Sequence, residues 1–448
     1  MLLQRLSSGL MALMLELVGI QPAHLNTVQL LAWQDAALFS LPSEPDPAAA
    51  SVIKQSLKGW STKGLATSNQ GVWMQSGMTR LANNQGTVPL PAASLTKIAT
   101  TLAALQHWGP NHQFETLVSA TGPIKNGVLQ GDLVITGSGD PFFVWEEAIA
   151  LGNTLNKQGI RRVTGRLIVT GDFYMNYQEN QLLSAQMLAS GMNSALWSRA
   201  VTLHYSRMRK GTPKPQVAIA GGVAIASYPI PKKYELIRHR SLPLTQILKE
   251  LNIYSNNAMS EMLATSLGGA KVVAKLASQT ADVPQQEIQL INGSGLGMEN
   301  RISPRAACAM LMAIERSLKP HQLTVADLFP VSGRDNRGTL LTRNIPQGTV
   351  IKTGTLREVS ALAGVMPTRD RGLVWFAIIN RGGDIASFKA QQDQILTQLS
   401  KQWGTASLPK VTTTNIQASL GDTRRNEIIS EVRIPLEDLK IRESKSNS

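Results

Sequence analysis

Ser94-Leu-Thr-Lys-Ile-Ala-Thr-Thr-Leu-Ala-Ala-Leu-Gln-His-Trp108 is the stretch on which the fold turns. Its apolar residues recur at helical spacing, Gly109-Pro110 stops it, and a loop with two prolines, Thr87 to Ala92, precedes it. The spacing therefore predicts a helix that opens at Ser94. Three residues along a helix bring Ser94 and Lys97 to one face, with Cβ atoms roughly 5–6 Å apart, so the ammonium group can reach the hydroxyl. A serine hydroxyl needs such a base. Lysine serves only where burial or nearby positive charge lowers its pKa. Free backbone N–H groups at the helix start, that of Ser94 among them, could hold an oxyanion.

Working outward, Ser-x-x-Lys also occurs at Ser51/Lys54 and Ser407/Lys410, whereas two later words, Ser255-Asn-Asn257 and Lys352-Thr-Gly354, are each unique in the chain. In Tyr254-Ser-Asn-Asn257 the i and i+2 residues would point to one side of an extended loop. There Ser255 could relay a proton to a leaving amine, and Asn257 could bind a substrate amide or hold Lys97. Lys352-Thr-Gly354 ends a predicted strand, with Gly354 leaving room for substrate backbone and Lys352 offering charge that would depress Lys97. Lys352 and the hydroxyls of Thr353 and Thr355 suit a carboxylate, and the Thr355 N–H is a second oxyanion donor. Taken singly, these words are an ordinary cap, an ordinary turn and an ordinary solvated strand edge. Their order, each on a suitable element, turns the reading to acyl transfer through a serine nucleophile.

The chain has 448 residues, 43% hydrophobic and 17% charged, enough for a folded protein of two or three domains. Lys plus Arg exceed Asp plus Glu by 44 to 30, giving +14, which draws the protein to anionic partners. The basic residues are scattered and aromatics are only 5%, which argues against nucleic acid. The lone Cys308, in an apolar run, reads as core filler and excludes an internal disulfide. The six histidines show no ligand spacing, so no metal is expected. Residues 1–45 include an apolar run, Leu10 to Ile20, of signal-peptide length, interrupted by Glu16 and followed by no clean cleavage site. They are a candidate signal or anchor.

Asp46 and Pro47 mark the first helix of the folded body. Helical patterning at 46–113 and 241–405, with strands at Gly71 to Ser76, Gly348 to Lys352, Ala361 to Met366 and Leu373 to Asn380, predicts an α+β domain: an antiparallel sheet flanked by helices. Residues 114–240 read as an inserted β-rich domain, and 406–448, mixed in charge and poor in apolar residues, as a tail.

The three words together form the active-site set of penicillin-binding proteins and β-lactamases. From about Gly71 to Trp403 the chain resembles the D-alanyl-D-alanine carboxypeptidase/endopeptidase family, the class C low-molecular-mass penicillin-binding proteins. Gly131-Asp-Leu-Val-Ile-Thr-Gly-Ser-Gly-Asp-Pro141, Asn292-Gly-Ser-Gly-Leu296 and Asn300-Arg-Ile-Ser-Pro304 support the likeness. It departs at Asn292, where the family usually has Asp. The resemblance implies a serine transpeptidase/β-lactamase-like domain carrying an insertion, exported to the periplasm or cell envelope and acting on peptidoglycan stem peptides. It implies acylation of Ser94 with Lys97 as base, proton transfer and substrate positioning by Ser255 and Asn257, and carboxylate and oxyanion sites at Lys352 and Thr355. β-Lactam antibiotics would acylate it, no cofactor is needed, and peripheral association with a membrane is compatible with it. Two rivals remain. A secreted serine β-lactamase needs a deacylating base, for which Glu287, five residues before Asn292, is the nearest candidate. A non-catalytic cell-wall-binding protein would keep the fold and use the basic charge as a tether.

Overall fold

A computed structural model describes residues 46–406 and 419–429. The candidate signal or anchor at 1–45, the Ser407/Lys410 word and most of the C-terminal segment lie outside the described residues. A five-stranded antiparallel sheet forms from both ends of the chain, in the order Val350–Leu356, Val359–Thr368, Gly372–Arg381, Gln70–Ser76, Thr79–Asn84. Its central strands are apolar on both faces because helices cover both. Trp73, Ala363, Trp375 and Ala377 pack with the helices Thr96–Trp108 and Pro304–Leu318. The alternate residues Val72, Met74, Phe376 and Ile378 pack with Pro47–Thr62 and Ile385–Trp403. Period-two alternation thus serves two cores, and each fully buried side chain of this size stabilises the sheet by about 1.5–3 kcal/mol. Asp46 caps the first helix by accepting from Ala49 N at 2.9 Å, and Cys308 is buried in the core.

The segment between the two halves was expected to be β-rich, and it contains as much helix as strand. Leu133–Ser138, Leu167–Asp172 and Val223–Ile225 run parallel, and Glu115–Ala120 and Tyr234–Arg240 continue the same sheet antiparallel. Trp145–Lys157, Gln181–Gly191 and Arg199–Arg207 are helical. Parallel pairing requires a long crossover, and Trp145–Lys157 supplies the one between the first two strands. The segment has its own core, including Ile135, Phe143, Leu151 and Val169.

The C-terminal segment read as a tail adds an edge strand to this sheet: Asn426–Ile428 pairs with Tyr234–Arg240. Side chains anchor it. Arg425 Nη2 meets the buried Glu147 Oε1 at 2.5 Å, and Asn426 Nδ2 donates to Thr154 Oγ1 at 2.9 Å.

Candidate active site

Ser94 lies in a 3-10 turn, Ala93–Leu95, one residue before the α-helix Thr96–Trp108, slightly displaced from the expected helix start. Ala93 adopts a left-handed φ of 48°, which costs an L-residue about 1–2 kcal/mol. Neighbouring backbone holds the turn there. Ala92 N donates to Asn300 O at 2.8 Å, and a Cβ on Gly295 would lie only 1.9 Å from Ala93 O. A Cβ on Gly354 would lie 2.9 Å from Ala92 O and 3.0 Å from Ser94 N. Gly354 is therefore required because the Lys352 strand packs directly on the serine turn, a tighter reason than room for substrate.

Lys97 is fully buried, and its Nζ contacts Ser94 Oγ at 3.1 Å, Asn257 Oδ1 at 2.7 Å and Ser294 O at 2.6 Å. Burial lowers its pKa to about 7, against the opposing pull of Glu261. A neutral amine has two N–H bonds and one lone pair. Asn257 Oδ1 and the Ser294 carbonyl can only accept, so they take both N–H bonds. The lone pair is left for the Ser94 hydroxyl.

Ser255 and Asn257 were expected on an extended loop, but they sit at a helix junction. Ser255 ends Leu244–Tyr254 in a left-handed conformation, φ 52°, and Asn257 begins Asn257–Ser266. Asn256 caps that second helix by accepting from Met259 N at 3.1 Å. The left-handed residue turns the chain so that Ser255 meets Lys352 and Asn257 meets Lys97. Lys352 Nζ donates to Ser255 Oγ and to Thr353 O, both at 2.9 Å. Lys352 is also fully buried, and its pKa is lowered by burial first and by Lys97 second. Burial is likewise the main cause of the Lys97 shift, in place of the expected charge of Lys352. Thr353 is buried and Thr355 exposed, and among the described residues neither hydroxyl makes a hydrogen bond. All eight expected residues thus gather at the junction of the serine turn, the helix junction and the sheet edge.

Glu287 is buried, and its oxygens accept from the Ser303 hydroxyl and the Arg305 guanidinium. It ties its turn to the start of Pro304–Leu318 and has no oxygen free to activate water. Glu261 went unnoticed in the sequence. It accepts from Gly293 N and Ser294 N, both at 2.9 Å, and so holds the loop whose Ser294 carbonyl receives Lys97. The available signal was its place four residues after Asn257 on one helix face. Asn292 supports the same loop: its Oδ1 accepts from Gly295 N at 2.8 Å and its Nδ2 donates to Leu296 O at 2.6 Å.

The D-Ala-D-Ala carboxypeptidase 3 (S13) family model matches residues 58–182 and 208–402. The chain belongs to this family. It is a serine-type D-Ala-D-Ala carboxypeptidase/endopeptidase acting on peptidoglycan. The chain is similar to the D-alanyl-D-alanine carboxypeptidase DacB of Haemophilus influenzae, 24% identical over 387 residues, covering 65% of this chain and 80% of the relative. It is also similar to carboxypeptidase Rv3627c of Mycobacterium tuberculosis, 27% identical over 340 residues, covering 65% and 71%. Among solved structures it resembles the penicillin G-acylated Bd3459 predatory endopeptidase of Bdellovibrio bacteriovorus, with a TM-score of 0.65 and 21% identity, covering 77% of this chain and 95% of that one. That likeness supports the α+β fold with its insertion.

Proposed function

We propose that this S13 peptidase works through an acyl-enzyme on Ser94. The observation that carries the proposal is the lone pair of Lys97, aimed at Ser94 Oγ because Asn257 and Ser294 occupy both amine N–H bonds. Neutral Lys97 takes the hydroxyl proton as Ser94 Oγ attacks the carbonyl carbon of the penultimate D-alanine. The Ser94 and Thr355 N–H groups receive the developing oxyanion. Ser255 passes a proton to the departing amine, and Lys352, which donates to Ser255, replaces it. The proton taken by Lys97 passes through solvent in the cleft to Lys352, which leaves Lys97 neutral; water then attacks the ester, Lys97 accepts its proton and delivers it to Ser94 Oγ as the ester bond breaks, and Ser94 is released unmodified. Lys352 with the Thr353 and Thr355 hydroxyls receives the substrate carboxylate, and Asn257 positions both Lys97 and the substrate amide.

The substrate is the D-alanyl end of a stem peptide or a D-alanyl cross-link, reached outside the cytoplasmic membrane. No helix among the described residues is long and apolar enough to cross a membrane. β-Lactams acylate the same serine. With Glu287 engaged by Ser303 and Arg305, rapid β-lactamase turnover lacks its candidate base.

Intact-protein mass spectrometry after incubation with benzylpenicillin tests the assignment. Wild type should gain one penicillin mass and keep it for hours, and Ser94→Ala should gain none. An adduct on folded Ser94→Ala would place the nucleophile elsewhere.

A further inference from the structure

Residues 180–234 contain seven Lys and Arg and no Asp or Glu, so about an eighth of the chain carries half of its net charge of +14. What looked like scattered basic residues is, in this stretch, an absence of acids. The fold concentrates the charge further. A cavity of 770 Å³ between the inserted segment and residues 420–424 is lined by Lys157, Arg207, Arg209, Lys214 and Arg424, with Asp422 the one acid among the described residues that line it. That volume falls in the range of small-molecule sites.

Asp422 is spent on Arg424, at 2.6 Å. Among the described residues, Lys157, Arg207, Arg209 and Lys214 pair with no carboxylate. Lys214 lies 5.6 Å from the Tyr205 ring centroid, and that phenol donates to Thr212 O at 2.6 Å, which steadies the rim. Gathering four unpaired cations around one hollow opposes folding through mutual repulsion. Apart from the Lys214–Tyr205 contact, nothing among the described residues offsets this, as all four side chains are exposed and line the cavity. Guanidinium forks suit oxyanions bidentately, and a phosphate offers up to two charges and three acceptor oxygens in one compact group.

We propose that this cavity is a binding site for a multiply charged phosphate group, separate from the peptidase cleft. Bound there, an envelope component bearing such a group would hold the enzyme near its substrate without touching Ser94.

The test is calorimetric titration of the full chain with tripolyphosphate, comparing wild type with Arg207→Gln/Arg209→Gln/Lys214→Gln. A control variant, Lys54→Gln/Lys58→Gln/Lys401→Gln, loses the same charge from exposed positions on the helices behind the catalytic sheet. We expect saturable binding that weakens at least tenfold in the cavity variant, stays within twofold in the control and falls as salt rises. Penicillin acylation should be unchanged in both, which verifies folding. Equal losses in the two variants, or no saturable binding by wild type, would overturn the site. Sedimentation with phosphatidylglycerol vesicles, abolished in the cavity variant, would assign the phosphate to a lipid headgroup. Tripolyphosphate binding without vesicle binding would assign it to a soluble or polymeric phosphate. Vesicle binding that survives in the cavity variant, with tripolyphosphate binding unaltered, would overturn the site.

Discussion

The peptidase cleft and the cavity of the inserted segment both crowd cations together, and they do so in opposite ways. In the cleft, Lys97 and Lys352 are fully buried, and burial strips their protons more readily than water would. In the cavity, Lys157, Arg207, Arg209 and Lys214 are exposed to solvent. A buried lysine exchanges its proton, as the base at Lys97 and as the donor to Ser255 at Lys352. An exposed cluster becomes an attractor. The distinction rests on desolvation, which acts within a few ångströms, against long-range Coulomb attraction, which salt screens.

Lys97→Met should break the first half of that comparison most severely. Benzylpenicillin acylation should fall at least ~10²-fold, measured by stopped-flow or quenched mass spectrometry. For wild type the acylation rate should rise with pH through about 7, because the deprotonated amine is the base. The sign for stability follows from the same depression. Between about pH 7 and the ordinary lysine value of 10.5, the unfolded chain holds a proton on Lys97 that the folded chain does not. Unfolding free energy from this group therefore rises with pH across that window. Lys97→Met should accordingly gain more stability relative to wild type at pH 6 than at pH 10, read as the difference in Tm. A rate unaffected by the substitution would remove Lys97 from the chemistry.

Gly354→Ala probes the packing of strand on serine turn. Its Cβ would press on Ala92 O and Ser94 N, and such overpacking costs about 1–3 kcal/mol. Because the pressure falls on Ser94 itself, acylation should drop by more than tenfold while the folded protein persists. Denaturant unfolding alongside acylation kinetics separates the two effects.

Glu261→Gln should have a smaller effect with a distinctive signature. The carboxylate accepts from two N–H groups and raises the pKa of Lys97. Lys352 is the other charged group facing that amine. An amide can accept on one side only, so the Ser294 carbonyl loses part of its support, and the plateau of acylation should fall by about tenfold. The acid limb should move to lower pH, as the negative charge that favoured protonation is gone. A reduced plateau with an unmoved limb would leave Glu261 only a structural role.

What was legible in the sequence follows the same division. Ser94, Lys97, Lys352 and Gly354 could be read because each word demands particular residue types at short spacing on one element. Glu261 could not, because its partners are backbone N–H groups in a loop 32 and 33 positions away. The left-handed Ser255 looked like part of an extended loop because the helices on either side meet without a glycine. The parallel strands Leu133–Ser138 and Leu167–Asp172 were recognisable as strands, but their direction depends on the crossover helix between them. The Asn426–Ile428 strand is too short for periodicity, and its anchor is an ion pair between Arg425 and Glu147 across 278 positions.

The smallest effect tests the other half of the comparison. Removing three like charges through Arg207→Gln/Arg209→Gln/Lys214→Gln should raise Tm by only about 1–2 °C at low ionic strength. The gain should vanish in 0.5 M salt, because exposed charges are screened over a few ångströms there. It should not change between pH 6 and pH 9, since arginine and lysine side chains in water titrate above that range. Lys97→Met should show the reverse pattern, sensitive to pH and nearly indifferent to salt, because the Lys97 side chain is fully buried. Thermal unfolding of both variants over a grid of pH and salt reads the two dependences together. If the cavity variant instead followed pH, its cations would have to be desolvated as those of the cleft are, and the division between base and attractor would fail.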